Sequence, residues 1–202
     1  MKKLLSQEKF YLFGMGKRPK MIWKNHCLFE LKNGRVMACF DENLPVELQP
    51  DRYRVQMGED AVWEDESGLY LRQNGRMQVL SREPVSLPDF EPSPYAPLMR
   101  TLHHDLLVSV VDGKPLPNPL VYRKPWYRDS AMMAMAFQQT GNLEQIRQWI
   151  LSLDDPYDRN NHGVEETDNL GQALYLISLV SGREHPLVEK ILQEAERRKT
   201  VP

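Results

Sequence analysis

Between residues 21 and 80, apolar and polar positions alternate in short runs, and turn residues cut each run. Met21 to Glu30 and Arg35 to Phe40 frame Asn33-Gly34 and predict a hairpin with a two-residue turn. Arg52-Tyr53-Arg54-Val55-Gln56-Met57 alternates with the period of a strand. Ala61-Val62-Trp63-Glu64 and Leu69-Tyr70-Leu71-Arg72 flank a turn at Glu66-Ser67-Gly68, and Asn74-Gly75 leads into Arg76-Met77-Gln78-Val79-Leu80. Turns so close together favour an antiparallel meander of roughly six or seven strands over parallel crossovers.

Downstream the pattern changes. Pro84, Pro88, Pro92, Pro94 and Pro97 make a stiff, extended stretch that removes ladder donors. This composition break predicts a small antiparallel β domain over 1–90 and an α-helical hairpin domain over 91–202. A helix is expected from Pro97 to Val111, and a second at about 129–139, capped by Asp129 or Ser130 and stopped at Gly141. The second helix, Ala131-Met132-Met133-Ala134-Met135-Ala136-Phe137, is apolar all round and should be buried on all sides. An amphipathic helix follows at 143–153. Thr167 or Asp168 caps a second enclosed helix that runs to Val180, and Pro186 opens a second amphipathic one. Enclosed and amphipathic helices in alternation are the pattern of stacked hairpins, inner helix against outer helix. The fold class expected is therefore α+β, an antiparallel β region followed by stacked helical hairpins that form a partial α/α toroid.

Composition narrows the chemistry. A net charge of −2 offers no global field for nucleic acid, and no run of like charge makes a basic arm. No stretch approaches a membrane span. Met1-Lys2-Lys3-Leu4-Leu5 starts like a signal peptide, but Ser6-Gln7-Glu8-Lys9 ends the apolar run at once. A soluble, cytoplasmic protein with no nucleic-acid or membrane partner is expected. With Lys32 opposite Arg35, Cys27 faces Phe40 and Cys39 faces Leu28, so the two thiols point to opposite faces and should stay reduced. Phe13-Gly14-Met15-Gly16-Lys17-Arg18-Pro19-Lys20 lacks the GxxxxGK[ST] spacing of a phosphate loop and reads as a mobile basic loop. His103 and His104 diverge on a helix and suit a hydrogen-bonded or solvated pair better than a metal site. No metal and no cofactor is expected.

The candidate site lies at the starts of the two enclosed helices. Trp126, Tyr127, Arg128 and Asp129 precede one, and Glu165, Glu166, Thr167, Asp168 and Asn169 precede the other, after a loop holding Asp158 and His162. If both helices point the same way, these clusters meet in one hollow. Aromatic faces, carboxylates and a guanidinium together suit a sugar, whose hydroxyls need directed hydrogen bonds. The plainer alternative makes Arg128-Asp129 a buried ion pair with a helix cap, and makes Glu165 and Glu166 N-terminal charges favoured by the dipole.

From Trp126 to about Val180 the chain resembles part of a six-hairpin glycosidase, an α/α toroid. The resemblance implies that Arg128 and Asp129 bind a terminal sugar and that Glu165 or Glu166 is the general acid; Trp126, Tyr127, Asp168 and Asn169, from the same two clusters, are expected to bind substrate beside them. Six hairpins close such a ring and about five helices are expected here. The resemblance therefore implies a partner chain, or a further C-terminal half, that completes the ring and carries the second carboxylate of glycoside hydrolysis. A non-catalytic helical module that holds a sugar or a protein at the same rim is the alternative.

Overall fold

The structure is a computed structural model that describes residues 9–159 and 162–199. The chain divides into two compact units, Met1–Val108 and Ser109–Pro202. An antiparallel β region followed by helices makes it an α+β protein. No helix among the described residues is long and apolar enough to cross a membrane.

In the first unit, β1 (Phe10–Phe13), β2 (Met21–Lys24), β3 (Cys27–Glu30) and β4 (Val36–Cys39) form one antiparallel sheet in chain order. β5 (Val46–Gln49), β6 (Arg54–Met57), β7 (Asp60–Glu64), β8 (Leu69–Gln73) and β9 (Arg76–Ser81) form a second, also in chain order. The meander was legible, but its start was not. The alternation that predicts the meander begins at Met21, yet residues 10–13 already form a strand, while residues 1–8 lie outside the described residues. The expected strand from Met21 to Glu30 is two strands, because Asn25 (φ 49°) and His26 (φ 56°) both turn left-handed, as a tight hairpin demands. Val55, Met57, Val62, Leu69 and Leu71 of the second sheet share one core with Phe13, Met21, Trp23, Leu28 and Ala38 of the first.

The expectation for the cysteines is overturned. Arg35 O accepts from Glu30 N and Glu30 O from Gly34 N, so the turn takes in residues 31–34 rather than two residues. An irregularity then shifts the register between Leu28 and Phe29, from Phe29 opposite Val36 to Leu28 opposite Ala38. Cys27 falls opposite Cys39 and the two are joined by a disulfide. A one-residue slip exchanges the two faces of a strand, so this irregularity, not the longer turn, reverses the conclusion.

The loop from β1 to β2 is not a mobile basic loop. Met15, Arg18 and Lys20 are all buried. Gly14 sits at φ +105°, and a Cβ there would come within 2.4 Å of Pro19 O, so only glycine fits. The loop wraps the Glu64 carboxylate, which lies on the inward face of β7 and is wholly buried. Glu64 accepts from Gly14 N (3.1 Å), Met15 N (3.0 Å) and Arg18 Nη1 (3.2 Å). His104, on α1 (Ala96–Val108), completes the set by donating from Nε2 at 2.8 Å. Its ring stacks between Tyr11 and Tyr53, each 5.3 Å away. Arg18 also donates to the carbonyls of Glu83, Asp65 and Glu66, and Lys20 Nζ donates to those of Gly14 and Gly16. A buried carboxylate is tolerated only when its lone pairs are met in this way. One side chain thus ties the first loop, the second sheet and α1 together.

In the second unit, a short hairpin of β10 (Val110–Val111) and β11 (Lys114–Pro115) precedes α2 (Tyr127–Gln139). A single 3₁₀ turn at Leu143–Gln145 leads into α3 (Arg147–Leu151), followed by α4 (Asp168–Ser178) and α5 (Pro186–Arg197). Ala134 and Phe137 of α2, Ile150 of α3, Ala173 and Leu176 of α4 and Ile191 of α5 are all fully buried. α5 begins at Pro186 as expected, and His185 caps it through Nδ1, which accepts from Leu187 N. Two helical expectations fail. α2 is not enclosed on all sides, since Met132 is 67 % and Met135 50 % exposed. Nor do the helices form a partial toroid: the described residues contain five α-helices, one of them only five residues long, beside three sheets of eleven strands.

The Glu64 cluster sets a pH profile. Burial alone would push the Glu64 carboxyl up, but the His104 bond and charge, Met15 N–H and Arg18 hold it below its ordinary 4.5. Burial alone would pull His104 down, but the bonds to Asp105 and Glu64 and their charges hold it above its ordinary 6.5. His103 is pulled down to about 4 by burial and by the charge of His104. Glu64 therefore contributes stability that is lost as pH falls below 4.5, and His104 contributes stability that is lost as pH rises above 6.5. His103 costs stability as pH falls from 6.5 towards 4. Urea unfolding across pH is expected to show a maximum near 6.5, and His103→Gln should extend that plateau towards acid. Glu64→Gln should cost about 3–5 kcal/mol at pH 6.5, because it leaves buried cations uncompensated. For the disulfide, Cys27→Ser with Cys39→Ser, or reduction by dithiothreitol, should lower stability by about 2–3 kcal/mol, read as a fall in Tm.

Candidate functional site

The N-terminal ends of α2 and α4 lie side by side, as Arg128 shows by reaching two carboxylates of the second cluster. Its Nη2 is 3.3 Å from Glu166 Oε2 and its Nη1 is 3.5 Å from Asp168 Oδ2. Two like helix-dipole ends placed together favour negative charge between them, and the carboxylates supply it. The plainer alternative, a buried Arg128–Asp129 ion pair with a helix cap, is not what forms. Arg128 pairs across the two helices, 49 % of its side chain is exposed, and Asp129 makes no hydrogen bond or ion pair with another described residue.

Capping also differs from expectation. Neither Asp129 nor Ser130 caps α2, whose cap position is Trp126 without a side-chain bond. The acceptor comes instead from the distant loop: Asp158 Oδ2 takes the Tyr127 N–H at 2.6 Å. Lys124 Nζ donates to the carbonyls of Asp158 (2.9 Å) and Arg159 (2.6 Å), and Tyr127 Oη donates to Asp155 O (2.7 Å). Burial, and beyond it the charges of Asp155, Asp158 and Asp154, push the Tyr127 hydroxyl well up, so it stays a donor. The network continues into α4, where Thr167 makes no side-chain cap. Asp158 N donates to Asn169 Oδ1 (3.2 Å), Asn169 Nδ2 to Gln172 Oε1 (3.1 Å) and Gln172 Nε2 to Asp168 Oδ2 (2.8 Å). Asn169 is wholly buried and acts as the pin between loop and helix.

Glu165 points into a second cluster. It pairs with Arg159 at 3.0 Å and with Arg198. Arg198 also holds Glu194 (2.9 Å), which accepts from Tyr157 Oη at 2.8 Å. Bonds from Arg197, Arg198 and Tyr157 pull the Glu194 carboxyl down to about 2. The structure thus brings Tyr127, Arg128, Glu166, Asp168 and Asn169 into one network and sends Glu165 to another. Trp126 sits at the edge with its ring edge-on to Tyr122 at 5.2 Å. Three polar atoms around this helix start, Trp126 Nε1, Ser130 Oγ and Asp158 Oδ1, are buried without a hydrogen-bond partner among the described residues. Sequence reasoning missed Lys124, Arg159, Gln172 and Arg198; the spacings of Gln172 to Asp168 and Asn169, of Arg159 to Asp155 and of Arg198 to Glu194 are local signals, whereas the bonds from Lys124 to the Asp158 loop and from Arg198 to Glu165 exist only in the fold.

The chain matches no family model, no curated protein and no solved structure. With five helices among the described residues and eleven strands, the resemblance to six-hairpin glycosidases is not upheld. The residues must therefore be judged by their own geometry.

Asp158→Ala removes the acceptor of the Tyr127 N–H and is expected to cost about 1–2 kcal/mol in chemical denaturation. Asp158→Asn, which keeps an oxygen acceptor, should lose clearly less. Equal losses would mean that charge against the helix end, not the hydrogen bond, is what matters there.

Proposed function

We propose that the second unit binds a carbohydrate at the adjoining N-terminal ends of α2 and α4. The observation that carries this reading is the Arg128 guanidinium, held by Glu166 and Asp168 yet half exposed. A guanidinium pre-oriented by two carboxylates presents its remaining N–H groups in fixed directions, and Asp129, the next residue on α2, adds a carboxylate with no partner among the described residues. Donors and acceptors so arranged match vicinal hydroxyls. The half-buried Trp126 offers an apolar ring edge beside this helix start.

Binding without hydrolysis fits the geometry better than catalysis. Glu165 is clasped by Arg159 and Arg198, and Glu166 by Arg128. Carboxylates engaged in this way orient neighbours rather than reach a glycosidic oxygen. The Cys27–Cys39 bond favours an oxidising compartment over the expected cytoplasm.

A glycan array with the full chain tests the reading. Binding of at least one saccharide is expected, with no reducing sugar released. Arg128→Ala and Asp129→Asn should each weaken that binding about tenfold or more, the size of a lost charge-assisted hydrogen bond. An empty array would remove the proposal. Hydrolysis that disappears with Glu165→Gln and Glu166→Gln would replace it with the catalytic alternative.

A further inference from the structure

The inward face of the second sheet is left uncovered at one end. β9 is the edge strand, and its residues Arg76 and Gln78 lie opposite Gln73 and Leu71 in the ladder. Leu71 is buried, yet Arg76 and Gln78 on the same face are exposed. The first sheet contributes Met37 here, and between them lies an open cleft of about 560 Å³ over Leu71. That volume is of the size that takes a small molecule.

The lining is unusual for its polar groups. The side chains of Asn74, Arg76 and Gln78 make no hydrogen bond or ion pair with another described residue. Gln73 is oriented by its own bond, Nε2 to Cys39 O at 2.5 Å, which leaves its Oε1 as an acceptor. The hairpin tip that carries these groups is fixed. Asn74 (φ 52°) and Gly75 (φ 72°) make a tight left-handed turn, and Asn74 N is held by Asp60 Oδ1 at 2.8 Å. Met37 and Met77 supply adaptable apolar walls.

We propose that this cleft binds an acidic saccharide unit, a site in the first unit separate from that proposed between α2 and α4. Primary amides both donate and accept, which is what a hydroxyl requires of its partner. Three of them line the cleft together with one guanidinium that has no carboxylate partner among the described residues, and a guanidinium matches a carboxylate through two parallel bonds. Hydroxyls for the amides and a carboxylate for Arg76 define the ligand class.

The test is a ¹⁵N–¹H titration of the full chain with D-glucuronate, D-glucose and acetate in separate arms. Glucuronate should shift the amide signals of residues 73–78 and Met37 saturably, with glucose and acetate each about tenfold weaker or more. Arg76→Ala should reduce glucuronate to the level of glucose, and Gln78→Ala should weaken both sugars alike. Both side chains are exposed, so neither variant threatens the fold. Arg128→Ala should leave this titration unchanged, which separates it from the helical site. Absence of shifts at these residues, acetate binding as tightly as glucuronate, or an Arg76→Ala variant that binds normally would each overturn the proposal.

Discussion

A carboxylate removed from water has to be met on every side, and in the first unit that requirement falls on Glu64. Two backbone N–H groups, a guanidinium and an imidazolium converge on its two oxygens. Three donors come from the loop after β1 and the fourth from α1, so satisfying one side chain on β7 fixes the path of both segments. The loop after β1 must curl tightly enough to aim Gly14 and Met15 N–H inwards, which is why glycine stands at position 14. α1 must present His104 to the sheet, with Tyr11 and Tyr53 holding the ring flat. The apolar core between the sheets supplies most of the driving force. The ion cluster decides where the loop and α1 sit on it.

The second unit solves a related problem at its surface. Two helices begin side by side, and their free N–H groups and dipoles call for negative charge. Asp158 answers for α2 from a loop about thirty residues away, and Asn169 holds that loop to the start of α4. Arg128 then bridges back to Glu166 and Asp168. What results is a rim of directed donors and acceptors, each held by a hydrogen bond or ion pair to its neighbours.

How much of this could be read in advance depends on the range of the interaction. Antiparallel strands in chain order follow from closely spaced turns such as Asn74-Gly75, and the helix starting at Pro186 follows from a local rule. The clusters at the starts of α2 and α4 were recognised as neighbours because both precede helices of the same apolar kind, and that inference needed only a shared direction. The Arg128 partners were misjudged, because adjacency in sequence made Asp129 look like the natural mate. On a helix neighbouring side chains diverge, whereas a facing helix brings Glu166 and Asp168 within reach. The cysteines were misjudged for a similar reason: one bulge between paired strands is invisible in an alternating pattern, yet it decides which faces meet.

The sequence alone determined the class of the molecule, strands first and helices after, and local features such as the turn at Asn74-Gly75 and the helix start at Pro186, since these depend on residues within a few places of one another. Tertiary structure alone decided that Glu64 would be buried and satisfied, that Cys27 would join Cys39, and that Arg128 would bridge two helices. Those outcomes depend on register, on packing and on donors delivered from far along the chain, and no local pattern encodes a distance between residues that only folding brings together.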